Sequence, residues 1–578
     1  MACFSGKGLS LAHAASAPNW CLNEKHHQHY KTICYNKPMD LKILVKKALT
    51  GSFCPTRTVF ATKNRLIRAQ AGQPPKNLRH AKIPMRTVID AQTRFGQVDI
   101  ADIKLDPKSR DDIPQLLRGL QHIYTEPELR KSVFAILEEV LPDRVGAEGK
   151  ASPDTGRPGM AQWTILVLGV LRLGLNTDYD RIQELANQHA TIRQMLGHGD
   201  WSDPSRYELQ TIKDNLRLFT PEILGRISRE VVRAGHKALK KSPQEGLNAR
   251  CDSFVVETDV EFPTDTNLLY EAVRKALGLC AELSGAHKLP GWRQDAHLLR
   301  KLKKAHRRIQ RLKHSTSKDE QKRQAREEEI KQAHRGYLDL AGSLLGRMRG
   351  TRQELANLPA VPLRLASLDD YLKHAGRQVD QVRRRVLEGE AIPHAEKILS
   401  IFEPHTEWVS KGKAGVPVEL GLKVCVVEDQ HGFILHHQVM EKATDDQVAV
   451  PITEQTKERF PSLASMSFDK GFHSPANQAG LKEIVAQVVL PRKGKLSAAA
   501  KAIESEPEFF RLRRKHSAVE SAINALESHG LDRCPDHGID GFKRYVALAV
   551  VARNVQHLGA VLREQEANRK RGPYQKAA

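Results

Sequence analysis

The sequence predicts a mixed α/β fold in which strand-forming segments fall into two groups separated by a long helical stretch. Three observations lead there. From Leu247 the pattern turns towards period two, and NARCDSFVVETDVEF is rich in β-branched and aromatic residues. Strand character returns after Gly415 in VELGLKVCVVEDQHGFILHHQVM, which reads as a hairpin turning at EDQHG, and again in SLASMSF and QVVLP. Between these groups, residues 281–411 are charged, poor in β-formers and helical in pattern.

Taken in order, residues 1–84 carry four of the eight cysteines, Cys3, Cys21, Cys34 and Cys54, and no sustained period; they read as a poorly ordered extension. Cys21, His26, His27, His29 and Cys34 match no common zinc-finger spacing, and Met85 is an alternative translation start. Residues 85–150 contain helices at Ile113–His122 and Glu126–Leu141. A Pro/Gly/Ser-rich linker follows at 149–159. Residues 151–245 are expected to hold helices at Met160–Leu173, Tyr179–Asn187, Thr191–Leu196 and Ser205–His236. These form either a helix-turn-helix reading duplex DNA or a small bundle without DNA contact. Residues 246–280 open the sheet and add a helix over Asn267–Cys280. After the 281–411 insertion, 412–562 complete the sheet and end on an apolar helix at Tyr545–Leu562, and 563–578 form a basic tail.

Composition narrows the function classes. The chain has 91 Lys and Arg against 68 Asp and Glu, a net charge of +23, which favours a polyanionic partner, nucleic acid first. Between Arg300 and Arg335 there are 14 Lys/Arg against 5 Asp/Glu, with Leu298, Leu302, Ile309 and Leu312 on one face. That pattern suits a solvated helix pair, a clamp on the DNA backbone, or both. No CxxC pair occurs, which fits a reducing compartment. The apolar run Trp163–Leu175 is too short to span a bilayer and contains Arg172, and no signal peptide is evident, so a cytoplasmic protein without a membrane segment is expected.

The chemistry is expected in Ser462–Leu531. Asp469 ends a strand ahead of a Lys-Gly turn, and Glu520 lies on the helical segment HSAVESAINALESHGL. Carboxylates from separate elements can converge on Mg²⁺ ions that clamp the attacking and leaving oxygens of a phosphodiester. Taken singly, Asp469 is also an ordinary turn former, Glu520 an exposed helix charge and Asp252 a strand-edge charge. Spacing alone does not choose the first acid among Asp252, Glu257, Asp259 and Glu261.

The blocks CDSFVVETDVEFPTDTNLL (251–269), IFEPHTEWVSKGKAGVPVELG (401–421), SFDKGFHSPANQ (467–478) and AVESAINALESHGLDRC (518–534) resemble DDE transposases of bacterial insertion sequences, ISNCY type. GQVDIADIKLDPKSRDDIPQLLRGLQHIYTEPELR (96–130) is similar to their N-terminal region. The resemblance runs from about Met85 to Leu562. It implies an RNase H-like catalytic core, interrupted by a large α-helical insertion and preceded by an α-helical DNA-binding region. The catalytic and metal-binding acids it implies are Asp252, Asp469 and Glu520, with Asp259 the reserve for the first. The implied cofactor is Mg²⁺ (or Mn²⁺), as two ions. The implied partner is double-stranded DNA, at element ends and target, bound by a homodimer.

The family often places basic residues four before and seven after the glutamate. Here those positions are His516 and Glu527. On one continuous helix His516, Glu520, Asn524 and Glu527 would share a stripe opposite Val519, Ile523 and Leu526, and an acid at 527 would repel a phosphate. Arg513, Arg514 and Lys515 could restore the charge. Lys411, Lys413, Lys470, Arg492 and Lys493 are further candidate phosphate contacts. The alternative function is a transposase-derived DNA-binding protein that no longer cuts.

Overall fold

The computed structural model describes residues 87–89, 96–140, 159–199, 203–242, 244–356, 362–393, 396–410 and 417–571. These belong to one compact unit, Lys82–Ala578. The cysteine- and histidine-bearing extension, Met85, the linker at 149–158, and Lys411 and Lys413 lie outside the described residues.

The N-terminal layer is helical: α1 (Ile113–Thr125), α2 (Pro127–Glu138), α3 (Gln162–Gly174), α4 (Tyr179–Gln188), α5 (Ala190–Met195), α6 (Leu209–Leu216) and α7 (Pro221–Ala238). The helix expected over Ser205–His236 is two helices. Thr220 caps α7 by accepting from the Ile223 amide at 3.2 Å and Pro221 takes the first helical position, where its missing N–H costs nothing, so the chain restarts there. The apolar α3 is buried along its whole length. Its Arg172 is tolerated because it pairs with Asp536 at 2.9 Å and stacks on Tyr179.

The sheet comprises β1 (Leu247–Thr258), β2 (Glu407–Ser410), β3 (Val418–Glu428), β4 (Ile434–Met440), β5 (Leu463–Phe468), β6 (Gln487–Val489) and β7 (Arg533–Cys534). β1 and β3 are the antiparallel centre. β4 and β2 share the outer edge of β3, both antiparallel; β5 and β7 share the outer edge of β1, both parallel, and β6 adds in parallel to β5. The sheet is mixed, and the molecule is mostly helical α/β.

Four helices separate β1 from β2: α8 (Asp265–Ala286), α9 (Asp295–Arg311), α10 (Glu320–Ala356) and α11 (Pro362–Val382). They carry a core of their own around Leu269, Leu302, Tyr337 and Leu368. The helix expected at Asn267–Cys280 is therefore the first of this layer and longer than expected, and the sheet resumes at Glu407, before the expected end of the insertion.

After the hairpin come α12 (Asp445–Arg459), β5, α13 (Pro475–Ile484), β6, α14 (Ala498–Glu504), α15 (Pro507–His516), α16 (Val519–Leu526), β7 and α17 (Ile539–Arg571). The expected single helix from His516 to Leu531 is corrected at both ends. α15 stops at His516 and α16 starts at Val519. At the far end a wide turn closes on Gly530 at φ 94°, where a Cβ would press on the Tyr545 hydroxyl. α17 continues through the expected tail to Arg571, so Arg569 and Lys570 are helical. By length and composition α17 could cross a membrane, yet 78% of its most apolar window is buried inside the protein. It packs on α1, α3 and α7, which accounts for its apolarity. Apolar residues of the N-terminal helices, the sheet and α17 share one continuous core.

Candidate active site

A central strand covered on both faces ordinarily reads as apolar, so Arg250, Asp252 and Ser253 in the middle of β1 need an explanation. Register supplies part of it. Cys251 of β1 lies opposite Phe468 of the parallel β5, so the next residues, Asp252 and Asp469, emerge side by side. Asp252 Oδ1 accepts the Ser253 amide at 2.8 Å. Asp469 caps the short 3-10 turn of Lys470–Phe472, accepting the Gly471 amide at 2.6 Å. The turn-former role of Asp469 is therefore real and coexists with its place beside Asp252.

Glu520 stands exposed in the first turn of α16, which packs across β1 and β3. The charges of Asp469 and Glu520 both reach Asp252. Burial, opposed by the Ser253 amide and reinforced by the charges of Asp469, Asp445 and Glu520, pushes the Asp252 carboxyl up to about 6. Asp259, the reserve, lies past the end of β1 at 3.6 Å from Arg533, which also holds Glu257 at 3.2 Å. Neither of those acids is among the charges that shift Asp252.

Asp445 was not anticipated. It is the first residue of α12; its Oδ1 accepts the Ser253 hydroxyl at 2.6 Å and its Oδ2 accepts Lys423 Nζ at 2.8 Å. A Cβ on Gly471 would stand 2.8 Å from Asp469 Oδ1 and 3.5 Å from Asp445 Oδ2, so glycine keeps the space between these carboxylates clear. The Thr-Asp-Asp-Gln start of α12 is a legible capping box. Nothing in the local pattern shows that it faces β1.

His516 ends α15, so it does not share a helical stripe with Glu520, as the broken helix requires. It is nevertheless in the site: its Nδ1 lies 3.1 Å from the Ser467 hydroxyl, and it feels the charges of both Asp469 and Glu520. Burial lowers its pKa, with Arg250 adding to the effect, so the ring is neutral at pH 7. Glu527 lies about 10 Å further along the α16 axis than Glu520.

The basic candidates divide. Lys493 Nζ donates to the Gly471 carbonyl at 2.7 Å, at the rim of the site. Lys470 is exposed in the turn that follows Asp469. The Arg492 amide and the Arg513 guanidinium both engage Glu504, at 3.0 and 3.3 Å, which neutralises part of Arg513. Arg514 lies over the Phe510 ring at 5.9 Å. Along the same face of β1 and β5 runs a cavity of about 370 Å³ lined by Asn248, Arg250, Ser465, Ser467, Arg511 and Lys515. The alternation of β1 places Arg250 and Asp252 on one face, a signal the sequence did contain.

Among the described residues no three His, Cys, Asp or Glu side chains stand together as a ready ligand set for a metal ion. The oxygen-only character of Asp252, Asp469, Glu520 and Asp445 suits a hard cation such as Mg²⁺, which would also offset the burial and, to a lesser degree, the neighbouring carboxylate charges that raise the Asp252 carboxyl. No protein-family model matches the chain, and no curated protein or solved structure matches it.

Proposed function

We propose that the chain is a DDE-type DNA transposase, which binds the terminal repeats of an insertion sequence, cuts there and joins the ends to target DNA. The observation that carries the reading is that Asp252 and Asp469, far apart in sequence, leave the parallel β1–β5 pair at adjacent register positions, with the charge of Glu520 reaching Asp252. The strand order β4-β3-β1-β5-β6, three antiparallel strands followed by two parallel ones, supports an RNase H-like core with α8–α11 inserted after its first strand. The net +23 charge suits duplex DNA, and the same reading makes the active form a homodimer bridging two ends, in the cytoplasm on the nucleoid.

In this reading Asp252, Asp469 and Glu520 hold divalent metal. There a divalent ion would supply activation of the attacking oxygen and stabilisation of the leaving one. The chain's own residues set the geometry. The Ser253 and Gly471 amides each fix one carboxylate. Gly471 leaves room beside Asp469. Lys423 offsets the charge of Asp445. Lys470 and Lys493 stand where a phosphate would approach. Neutral His516 holds the Ser467 hydroxyl beside the acids without adding charge.

The test is cleavage of a labelled duplex carrying the gene's flanking terminal sequence, with Mg²⁺ or Mn²⁺. Wild type is expected to nick at the end, and Asp252→Asn and Glu520→Gln to lose at least about 100-fold in rate, since even residues that only support metal ligands cost 10–100-fold. Cleavage surviving in Asp252→Asn would remove that residue from the site. The second reading, a transposase-derived binder, draws on Glu527 and on the lack of a ready ligand set among the described residues. Tight end binding with no cleavage under either metal would establish it.

A further inference from the structure

Two neighbouring helices of the inserted layer carry similar numbers of cations and treat them differently. On the N-terminal part of α10 four of its eight cations are paired locally: Lys322 lies 3.7 Å from Asp319, Arg323 3.0 Å from Glu320, Arg326 2.6 Å from Glu329, and Arg335 2.6 Å from Glu328. On α9, Arg300, Lys304, Arg307 and Arg311 fall three and four residues apart and so form one row, opposite the buried Leu302 and Ile309. Lys301 and Arg308 flank the row. All six are exposed, and none makes an ion pair among the described residues. Placing unpaired like charges side by side destabilises a helix, so the row acts against the fold's own stability.

We propose that this face of α9 grips the sugar-phosphate backbone of duplex DNA, independently of sequence. The inference rests on the nucleic-acid reading above and extends it to a second contact region, separate from the carboxylate site. The row spans about 16 Å of helix axis, enough to meet several phosphates of a duplex that carries one charge per about 1.7 Å. Guanidinium and ammonium groups on flexible stems suit phosphate contact, while the rigid apolar face beneath keeps them aligned.

The experiment measures affinity of the full chain for a labelled random-sequence duplex, without divalent metal, across a range of salt concentrations. R300Q/K304Q/R307Q/R311Q is compared with wild type and with K322Q/R323Q/R326Q on α10. The α9 variant is expected to bind about 10- to 100-fold more weakly at low salt, with the slope of log affinity against log salt shallower by about 3 to 4, near one per cation removed. The α10 variant should stay within about twofold of wild type. Should the quadruple variant fail to fold, K304Q and R307Q singly must each flatten the slope by about one. An α9 variant with the wild-type slope, an equal loss in the α10 variant, or a preference for double-stranded RNA over DNA would overturn the proposal while leaving the transposase reading standing. A wild-type chain that binds no random-sequence duplex would overturn the proposal, and one that also fails to bind a duplex carrying the gene's flanking terminal sequence would overturn both.

Discussion

The sheet-bearing body and the inserted α8–α11 layer handle charge in opposite ways. In the body, charge is taken inside and answered there: Arg172 meets Asp536 with 3% and 10% of the side chains exposed, and Arg250 meets Glu428 at 3.0 Å with 13% and 6% exposed. In the layer, charge stays outside. The first half of α10 pairs four of its cations along its own surface and α9 leaves its row open, while the apolar seam beneath does the folding. The difference teaches where each kind of charge has its effect. Buried charge in the body fixes conformation, because desolvation makes an unanswered charge expensive. Exposed charge in the layer adds little to stability and is free to meet a partner.

The largest expected effect breaks the comparison on the body side. Arg172→Ala would leave Asp536 buried beside Arg544, which is 3.8 Å away and a poorer partner, and remove a guanidinium stacked on Tyr179. Removing one member of a buried pair costs about 3–5 kcal/mol, so denaturant unfolding should show a loss of that order, and a loss under about 1 kcal/mol would mean that the pair is dispensable. The layer is held by its seam instead. Leu302→Ala removes a side chain with no exposed surface and should cost about 3 kcal/mol. Because the layer has its own core, hydrogen exchange should report the loss mainly in α8–α11, with β1 and β3 changing less.

The same contrast explains what was legible. Strands β1, β3, β4 and β5 were readable because a half-covered or central strand imposes period two and β-branched residues, and α3 because nothing but burial explains so apolar a helix. Asp252, Asp469 and Glu520 were reachable as a set only through the resemblance, since each alone fits a turn, a helix surface or a strand edge. Asp445 was not reachable, because its proximity to Ser253 is a tertiary contact between residues nearly two hundred positions apart in the chain. The break after His516 was missed since Ser517 and Ala518 carry no helix-breaking chemistry, and α17 was under-read at both ends because its charged ends dilute the apolar pattern of its middle.

A third prediction sharpens the body side. Asp252 titrates near 6 in the folded chain against an ordinary value of 3.8, so between those pH values the folded state holds the proton more tightly than the unfolded one. Stability from this group is therefore fully present below about pH 4 and is lost as pH rises through 6. At neutral pH the ionised carboxylate costs about 1–3 kcal/mol, since a tenfold change in proton affinity is worth about 1.4 kcal/mol and partial exposure reduces the effect. Asp252→Asn should thus be more stable than wild type by that amount at pH 7.5 in the absence of divalent metal, with the advantage vanishing near pH 4. An asparagine variant less stable than wild type at pH 7.5 would show that the carboxylate is not held against its own charge.

The smallest expected effect tests the layer. Arg323→Gln on α10 removes one member of an ion pair whose side chains are 49% and 60% exposed. Such pairs are worth about 0–1 kcal/mol and less as salt rises, so the change in unfolding free energy should stay within about 0.5 kcal/mol and shrink further at high salt. A loss comparable to that of Arg172→Ala would mean that surface pairing on α10 carries structural weight after all. The contrast between α9 and α10 would then have to be explained by folding rather than by a partner.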